Sequence, residues 1–326
     1  MPGSAIDEDL PGAVRAACAR VAAGSTHVRI DAARIPAYAA ALPLDTIPFA
    51  AFDPRHHFLG APEETAAFVL TLDAINFGSG YFPFLRKRPG LSGYFTIAAA
   101  LTERFRADGP LTARELADID AATCRGIFGQ VPDGGPIDEL MALFAAALNA
   151  LGQHLAARYG GRFAAPIEAA GGSATRLVAL LAALPTFRDV ATYRGRPVPF
   201  YKRAQITVAD LTLAFDGAGL GAFTDLDRLT IFADNLVPHV LRVDGLLRYD
   251  AALAARIAAG EPLAAGSPEE VEIRAAAVHA AELLVAACAA QGRPVTAREL
   301  DYLLWNRGLA PAYRDLPRHR TRTTAY

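Results

Sequence analysis

The chain has 326 residues, of which 52% are hydrophobic and 20% charged, a balance that suits a compact globule and excludes an intrinsically disordered chain. Its formal net charge of −2 at pH 7 lacks the basic excess of proteins that grip duplex DNA or tRNA along the phosphate backbone, so a small or locally bound substrate is favoured. Three scattered cysteines (Cys18, Cys124, Cys288), without metal-ligand spacing, fit a reducing compartment and small apolar packing roles.

In chain order, the N-terminal MPGSAIDEDLPG is acidic and has no apolar core, which argues against a signal peptide. The Ala-rich stretches are interrupted by Arg, Glu, His or Gln, short of a membrane-spanning length. A soluble, cytoplasmic protein with no membrane partner is therefore expected. Thr26–Ile30 reads as a short extended piece. Residues 62–76 (PEETAAFVLTLDAIN) open with proline and acids, which suit the positive end of a helix, and then run apolar. A second helix is predicted over 92–106, and a third from Pro136 to Tyr159, stopped by Gly160-Gly161. Capping boxes at Thr112–Glu115, Ser267–Glu270 and Thr296–Glu299 mark three more starts. Residues 191–200 (ATYRGRPVPF) suggest a hairpin around Arg194-Gly195.

The stretch 199–250 carries the chemistry. Its first part predicts a helix with Ala204, Val208, Leu211 and Phe215 on a buried stripe, followed by a break at Gly217–Gly221. A second helix is expected to begin near Asp225 or Asp227 and to kink at Pro238, whose missing N–H and bulky ring disturb the carbonyl of Asp234. Asp234, beside apolar Ile231, Phe232 and Leu236, is then either an active-site carboxylate or the cap of a restarted helix; sequence alone leaves both open. His56-His57 make a poor metal pair, because adjacent histidines rarely face one ion. Glu269, Glu270 and Glu272 read as helix-dipole partners in a first turn, and Trp305 as a core anchor. The expected fold is all-α: a single compact helical domain over 1–326, with residues 1–50 as a helical segment packed on it and a few short strands.

Several strings occur in order from about Phe52 onward: LDAINFGSGYFP, LSGYFTIAAAL, FYKRAQITVADL, TIFADNLVPHVL, EEVEIRAAAVHAAELL, LDYLLWNRG and HRTRTTAY. Together they resemble the signature blocks of the queuosine salvage protein family, the queuosine 5′-phosphate N-glycosylase/hydrolases. The resemblance implies a fold akin to the helix-hairpin-helix DNA glycosylases. It implies hydrolysis of a free nucleotide to release queuine, without metal or cofactor and with no stable nucleic-acid partner. Through the FAD string it makes Asp234 the catalytic carboxylate and Phe232 a lining of the base site. Through LDYLLWN it makes Asp301 and Tyr302 base-binding, and puts Asn306 where the family often has aspartate. His57 matches the family's substrate-facing histidine, with His56 as the alternative register. For the 5′-phosphate, Lys202 is the first candidate, aided by helix N-terminal amides. Arg203 is read at least as readily as solvated helix charge; the runs Arg86–Arg88 and Arg318–Arg322 are further phosphate candidates, although basic runs are usually solvated surface. The block Asn76–Gly80 is read as a helix-ending turn that lets substrate approach closely. Competing readings are a nucleic-acid glycosylase on the same fold and a non-catalytic queuine-binding protein, which would keep Asp301 and Tyr302 without needing Asp234.

Overall fold

The computed structural model describes residues 9–47 and 52–326; the start of the acidic N-terminal stretch read above lies outside the described residues. In chain order the elements are α1 (Leu10–Gly24), β1 (Val28–Ile30), α2 (Ile35–Ala41), α3 (Pro62–Ala74), α4 (Gly93–Asp108), α5 (Ala113–Asp118), α6 (Ala121–Phe128) and α7 (Pro136–Tyr159). There follow α8 (Ala164–Ala169), α9 (Ala174–Ala182), β2 (Val190–Tyr193), β3 (Arg196–Pro199), α10 (Lys202–Ala214), α11 (Val237–Val243), β4 (Leu247–Tyr249), α12 (Ala251–Ala258), α13 (Pro268–Ala290), α14 (Ala297–Gly308) and α15 (Pro311–Arg314). The fold is mostly α, as expected.

Local chemistry explains the boundaries. Thr112 and Glu115, like Thr296 and Glu299, make reciprocal capping boxes that fix the starts of α5 and α14. Ser267 caps α13 by accepting from Glu270 N, but Glu270 reaches to Gly266 N instead of returning the bond, so that box is half made. Arg194 and Gly195, at φ 48° and 74°, supply the two left-handed residues of a tight hairpin between β2 and β3. β1 pairs antiparallel with β4, which ties the N-terminal segment to the second half of the chain.

Two hydrophobic clusters form. One gathers α3 to α7, α9 and the Ala204, Val208 and Leu211 stripe of α10; the other gathers α1, α2 and α11 to α14. A small third group, Ala209, Phe232 and Tyr302, lies where α10, the 229–236 segment and α14 meet. That seam holds the candidate site.

Three expectations need correction. No helix runs from Asp225 through Asn235: a short 3-10 turn covers Leu226–Arg228 and the chain stays non-helical until Val237. Asp225 instead caps α9, accepting from Thr175 N at 3.2 Å, and Pro238 sits in the first turn of α11, where its missing N–H costs nothing. Glu270 and Glu272 are not mere dipole partners: both are buried, and Glu272 accepts from Ser25 Oγ, His27 N, Val28 N and Tyr193 Oη at 2.6–3.1 Å. Finally, α7 and α13 are long and apolar enough, by length and composition, to cross a membrane. Here both pack in the protein, α13 burying Glu270, Glu272 and Arg274 along with its alanines.

Candidate active site in the seam between the two cores

Asp234 is held by the backbone that follows it. Its Oδ1 accepts from Leu236 N at 2.7 Å and Val237 N at 3.1 Å, satisfying two N–H groups at the start of α11. The two readings of this residue are therefore compatible. One oxygen caps, which locks the side chain, and Oδ2 is left for other work. Asp234 is half-buried and lies within Coulombic reach of Lys202, Asp301 and Arg318.

The loop carrying Asp234 is clamped from both sides. Buried Asp301, on α14, accepts from Phe232 N at 2.8 Å. Burial, with Asp234 nearby, pushes the Asp301 carboxyl well above the usual carboxylate range. From behind, Arg274 on α13 donates Nε to Ala233 O at 3.0 Å, while its two terminal nitrogens grip Asp189 at 2.6 and 3.1 Å. Its guanidinium stacks 3.9 Å from the Phe200 ring centre and 4.7 Å from that of Tyr326. Gly308 lets α14 come close: a Cβ there would sit 2.7 Å from Leu236 Cγ.

Phe232 and Tyr302 meet edge to face, ring centres 6.4 Å apart, and form the apolar wall of the seam with Ile206 and Ala209. Asn306 is half-buried, and its Nδ2 donates to Tyr302 O at 2.8 Å. One of its two N–H donors is thus used within its own helix, which leaves the other N–H and Oδ1 for a ligand.

Of the two histidines, His57 is buried. Its Nε2 lies 3.2 Å from Tyr94 Oη and its Nδ1 3.2 Å from Asp53 O. Burial lowers it to about 4, so the imidazole is neutral at pH 7. Aromatic rings of Phe52, Phe68, Tyr94 and Phe95 surround it. Trp305 is only partly buried and lies edge-on to Phe95 with ring centres 6.3 Å apart, so it is a rim residue more than a core anchor.

The basic candidates separate clearly. Lys202 is buried, and its Nζ donates to Asn76 O and Oδ1, both at 3.2 Å, among Asp234, Asp73 and Asp210; burial lowers its affinity for a proton. Arg203 is buried too, which corrects its reading as solvated charge; it donates to Ala74 O and Thr186 O. Arg86 and Lys87 are exposed, and Arg88 pairs with Glu103. Arg318 departs from its run. It is half-buried, faces Asp234 electrostatically, and among the described residues no carboxylate lies within salt-bridge distance of it. The glycines after Asn76 also have a different use from the expected one. A Cβ at Gly80 would lie 2.2 Å from Thr321 O, so the close approach is made by the chain's own 321–322 backbone.

Sequence reasoning missed two carboxyls, Asp73 on α3 and Asp210 on α10. Asp73 is fully buried and accepts from Asn76 Nδ2 at 3.0 Å, and Asp210 lies within electrostatic reach of it. Burial raises Asp73 to about 6 and Asp210 well above its usual range. The four-residue spacing of Lys202, Ile206 and Asp210 along α10 was a legible signal, since it puts a charged pair and an apolar residue on one face. A cavity of about 280 Å³ opens behind the Asp234 loop, lined by Asp189, Arg203, Glu270 and Arg274 among others; none of the site residues predicted from sequence lines it.

Comparison with known proteins adds a family. Residues 56–326 match the family described as queuosine salvage protein. The chain is 45% identical over 278 residues to the queuosine 5′-phosphate N-glycosylase/hydrolase of Sphaerobacter thermophilus, covering 83% of this chain and 84% of that protein. It is 32% identical over 289 residues to the mouse protein of the same name, covering 82% and 83% respectively. The Dictyostelium discoideum protein of that name is 34% identical over 268 residues, covering 81% and 79%.

Proposed function

Because this chain belongs to the queuosine salvage protein family, we propose that it hydrolyses the N-glycosidic bond of queuosine 5′-monophosphate, giving queuine for reuse in tRNA modification and ribose 5-phosphate. The observation that carries the reading is the Asp234 carboxylate, fixed by its cap through Oδ1 and with Oδ2 left over, in a seam walled by Phe232 and Tyr302.

Chemistry explains the need for such a group. Queuine is a 7-deazaguanine, so carbon replaces N7, the usual protonation site for expelling a purine. Leaving-group activation is poor, and stabilising the ribosyl oxocarbenium carries more of the rate. Asp234 Oδ2 supplies negative charge beneath C1′ from a position that needs no rearrangement. Water then adds at C1′ and the base departs with a proton. Phe232 and Tyr302 pack the base. Asp301, already an acceptor for Phe232 N, offers its second oxygen to the N1–H and 2-amino edge, and His57 and Asn306 face the hydroxylated arm.

Two outcomes follow. Asp301→Ala should weaken queuine binding by about 1–3 kcal/mol, because it removes a base acceptor and leaves the Phe232 N–H unpaired; an unchanged Kd would put Asp301 outside the base site. The nucleotide should be a far better substrate than the nucleoside, and Arg318 is our choice for the phosphate ligand over Lys202, whose ammonium is held by Asn76 among carboxylates. Arg318→Ala should lower kcat/KM for the nucleotide by about 10–100-fold, leaving the nucleoside nearly unchanged. If the preference survives that change, the phosphate lies elsewhere. Chromatography of queuine released from nucleotide, nucleoside and queuosine-containing oligonucleotide tests the reading as a whole. Release from the oligonucleotide alone, steeply weakened by salt, would favour a nucleic-acid glycosylase.

A further inference from the structure

We infer that the segment 318–326 is a strap that holds the residues on both sides of Asp234, and that Tyr326 is its positioning residue. The inference rests on the substrate reading above and gives the string HRTRTTAY a task in the same reaction.

Each neighbour of Asp234 is gripped separately. On one side, Ala233 O accepts from Arg274 Nε at 3.0 Å. On the other, buried Asn235 donates its Nδ2 to His319 O at 3.4 Å. The strap makes the second grip directly, and the first depends on it through Arg274. A guanidinium is planar and its N–H groups lie in that plane, so the tilt of the plane decides where Nε points. Asp189 fixes the two terminal nitrogens at 2.6 and 3.1 Å but leaves the plane free to rock about the line that joins them. Two rings resist that rocking, with centres 3.9 Å (Phe200) and 4.7 Å (Tyr326) from the guanidinium carbon.

Tyr326 is itself well held. It is 2% exposed, its hydroxyl lies 3.4 Å from His319 Nε2, and its carbonyl accepts from Gly78 N at 3.0 Å. Backbone ties fix the rest of the strap. Just before it, Pro317 O accepts from Arg242 of α11 at 2.6 Å; within it, Arg320 O accepts from Leu263 N at 2.8 Å, and the Thr321 carbonyl lies against Gly80. None of these ties uses the Tyr326 ring, so the ring can be changed while the strap keeps its path. The base wall has a support of its own, since Asp301 holds Phe232 N from α14. Loosening the strap's grip should therefore reach the rate and spare base binding.

The test measures kcat for queuine release from the nucleotide and the Kd of free queuine, both well below Tm. Tyr326→Phe keeps the ring and should turn over within about 2-fold of the wild type. Tyr326→Leu keeps apolar bulk but removes the aromatic face. Its kcat should fall about 10–100-fold, the cost of misplacing a reacting group by about 1 Å, with the queuine Kd moved by less than about 2-fold. Asn235→Ala should show the same split. The effect should also vanish when its target is gone: in an Asp234→Asn background, Tyr326→Leu should cost less than about 2-fold more, because residues that act as a unit are not additive. A ring with a structural role alone would lower Tm and leave kcat unchanged, or lower kcat equally with and without the Asp234 charge; either result overturns the inference. Should Tyr326→Leu not fold, Asn235→Ala decides by the same readings. A wild type that releases queuine, alongside a Tyr326→Leu protein at full rate, sinks the strap and spares the substrate reading. A wild type that releases none removes both.

Discussion

Asp234→Asn should fold like the wild type, bind substrate, and lose about 10²–10³ or more in kcat, the loss seen when a preorganised electrostatic group is removed. The geometry makes this an unusually clean substitution. An asparagine keeps the oxygen that accepts from Leu236 N and Val237 N, and asparagine caps a helix as well as aspartate does. Only the negative charge is lost. Thermal stability and substrate Kd therefore report on the cap and the base site, and kcat reports on the charge. A folded Asp234→Asn protein with near-normal turnover would leave the residue with capping alone. An Asp234→Ala protein should lose stability as well, by about 1 kcal/mol for the missing cap, which separates the two contributions.

The second large effect belongs to Arg274, which touches no substrate in this account. It is buried, it grips Asp189 with both terminal nitrogens, it lies near Glu270 at 3.6 Å, and its Nε holds the carbonyl of Ala233, the residue before Asp234. Removing it strands two buried carboxylates. Arg274→Ala should cost about 3–5 kcal/mol, a fall in Tm of roughly 4–7 °C for a chain of this size. Activity measured well below the new Tm should fall too, because the Asp234 loop loses its rear support. A Tm within about 1 °C of the wild type would mean that Asp189 and Glu270 find water or protons at little cost.

Much of this was legible in the sequence, and the reasons differ between residues. Helix starts were readable where side chains close local bonds, as at Thr112–Glu115 and Thr296–Glu299, since four consecutive residues contain the whole interaction. The hairpin at Arg194-Gly195 was readable for the same reason. The 229–236 segment was misread as helix because its conformation is set from afar: Gln205 accepts from Thr230 N at 2.8 Å and Asp301 from Phe232 N at 2.8 Å. Pro238 was then taken to interrupt a helix that it in fact begins. Asp234, Phe232, Asp301 and Tyr302 were found through family strings and do converge in one seam. Asp73, Asp210 and Arg274 were not found, because a buried charge in an apolar helix looks like an ordinary polar position until its partners, on other helices, are seen. Arg318 was one basic residue in a run of them, and its partial burial within electrostatic reach of Asp234 is what sets it apart.

The central claim is that this chain uses water to cut the N-glycosidic bond of queuosine 5′-monophosphate. Purified protein and the nucleotide should be incubated in a buffer free of inorganic phosphate, and both products measured over time. The account predicts queuine and ribose 5-phosphate appearing in equal amounts, at a rate that adding phosphate does not raise. Release of queuine only when inorganic phosphate is present, with the sugar recovered as a 1,5-bisphosphate, or no queuine at all from an intact folded protein, would contradict it.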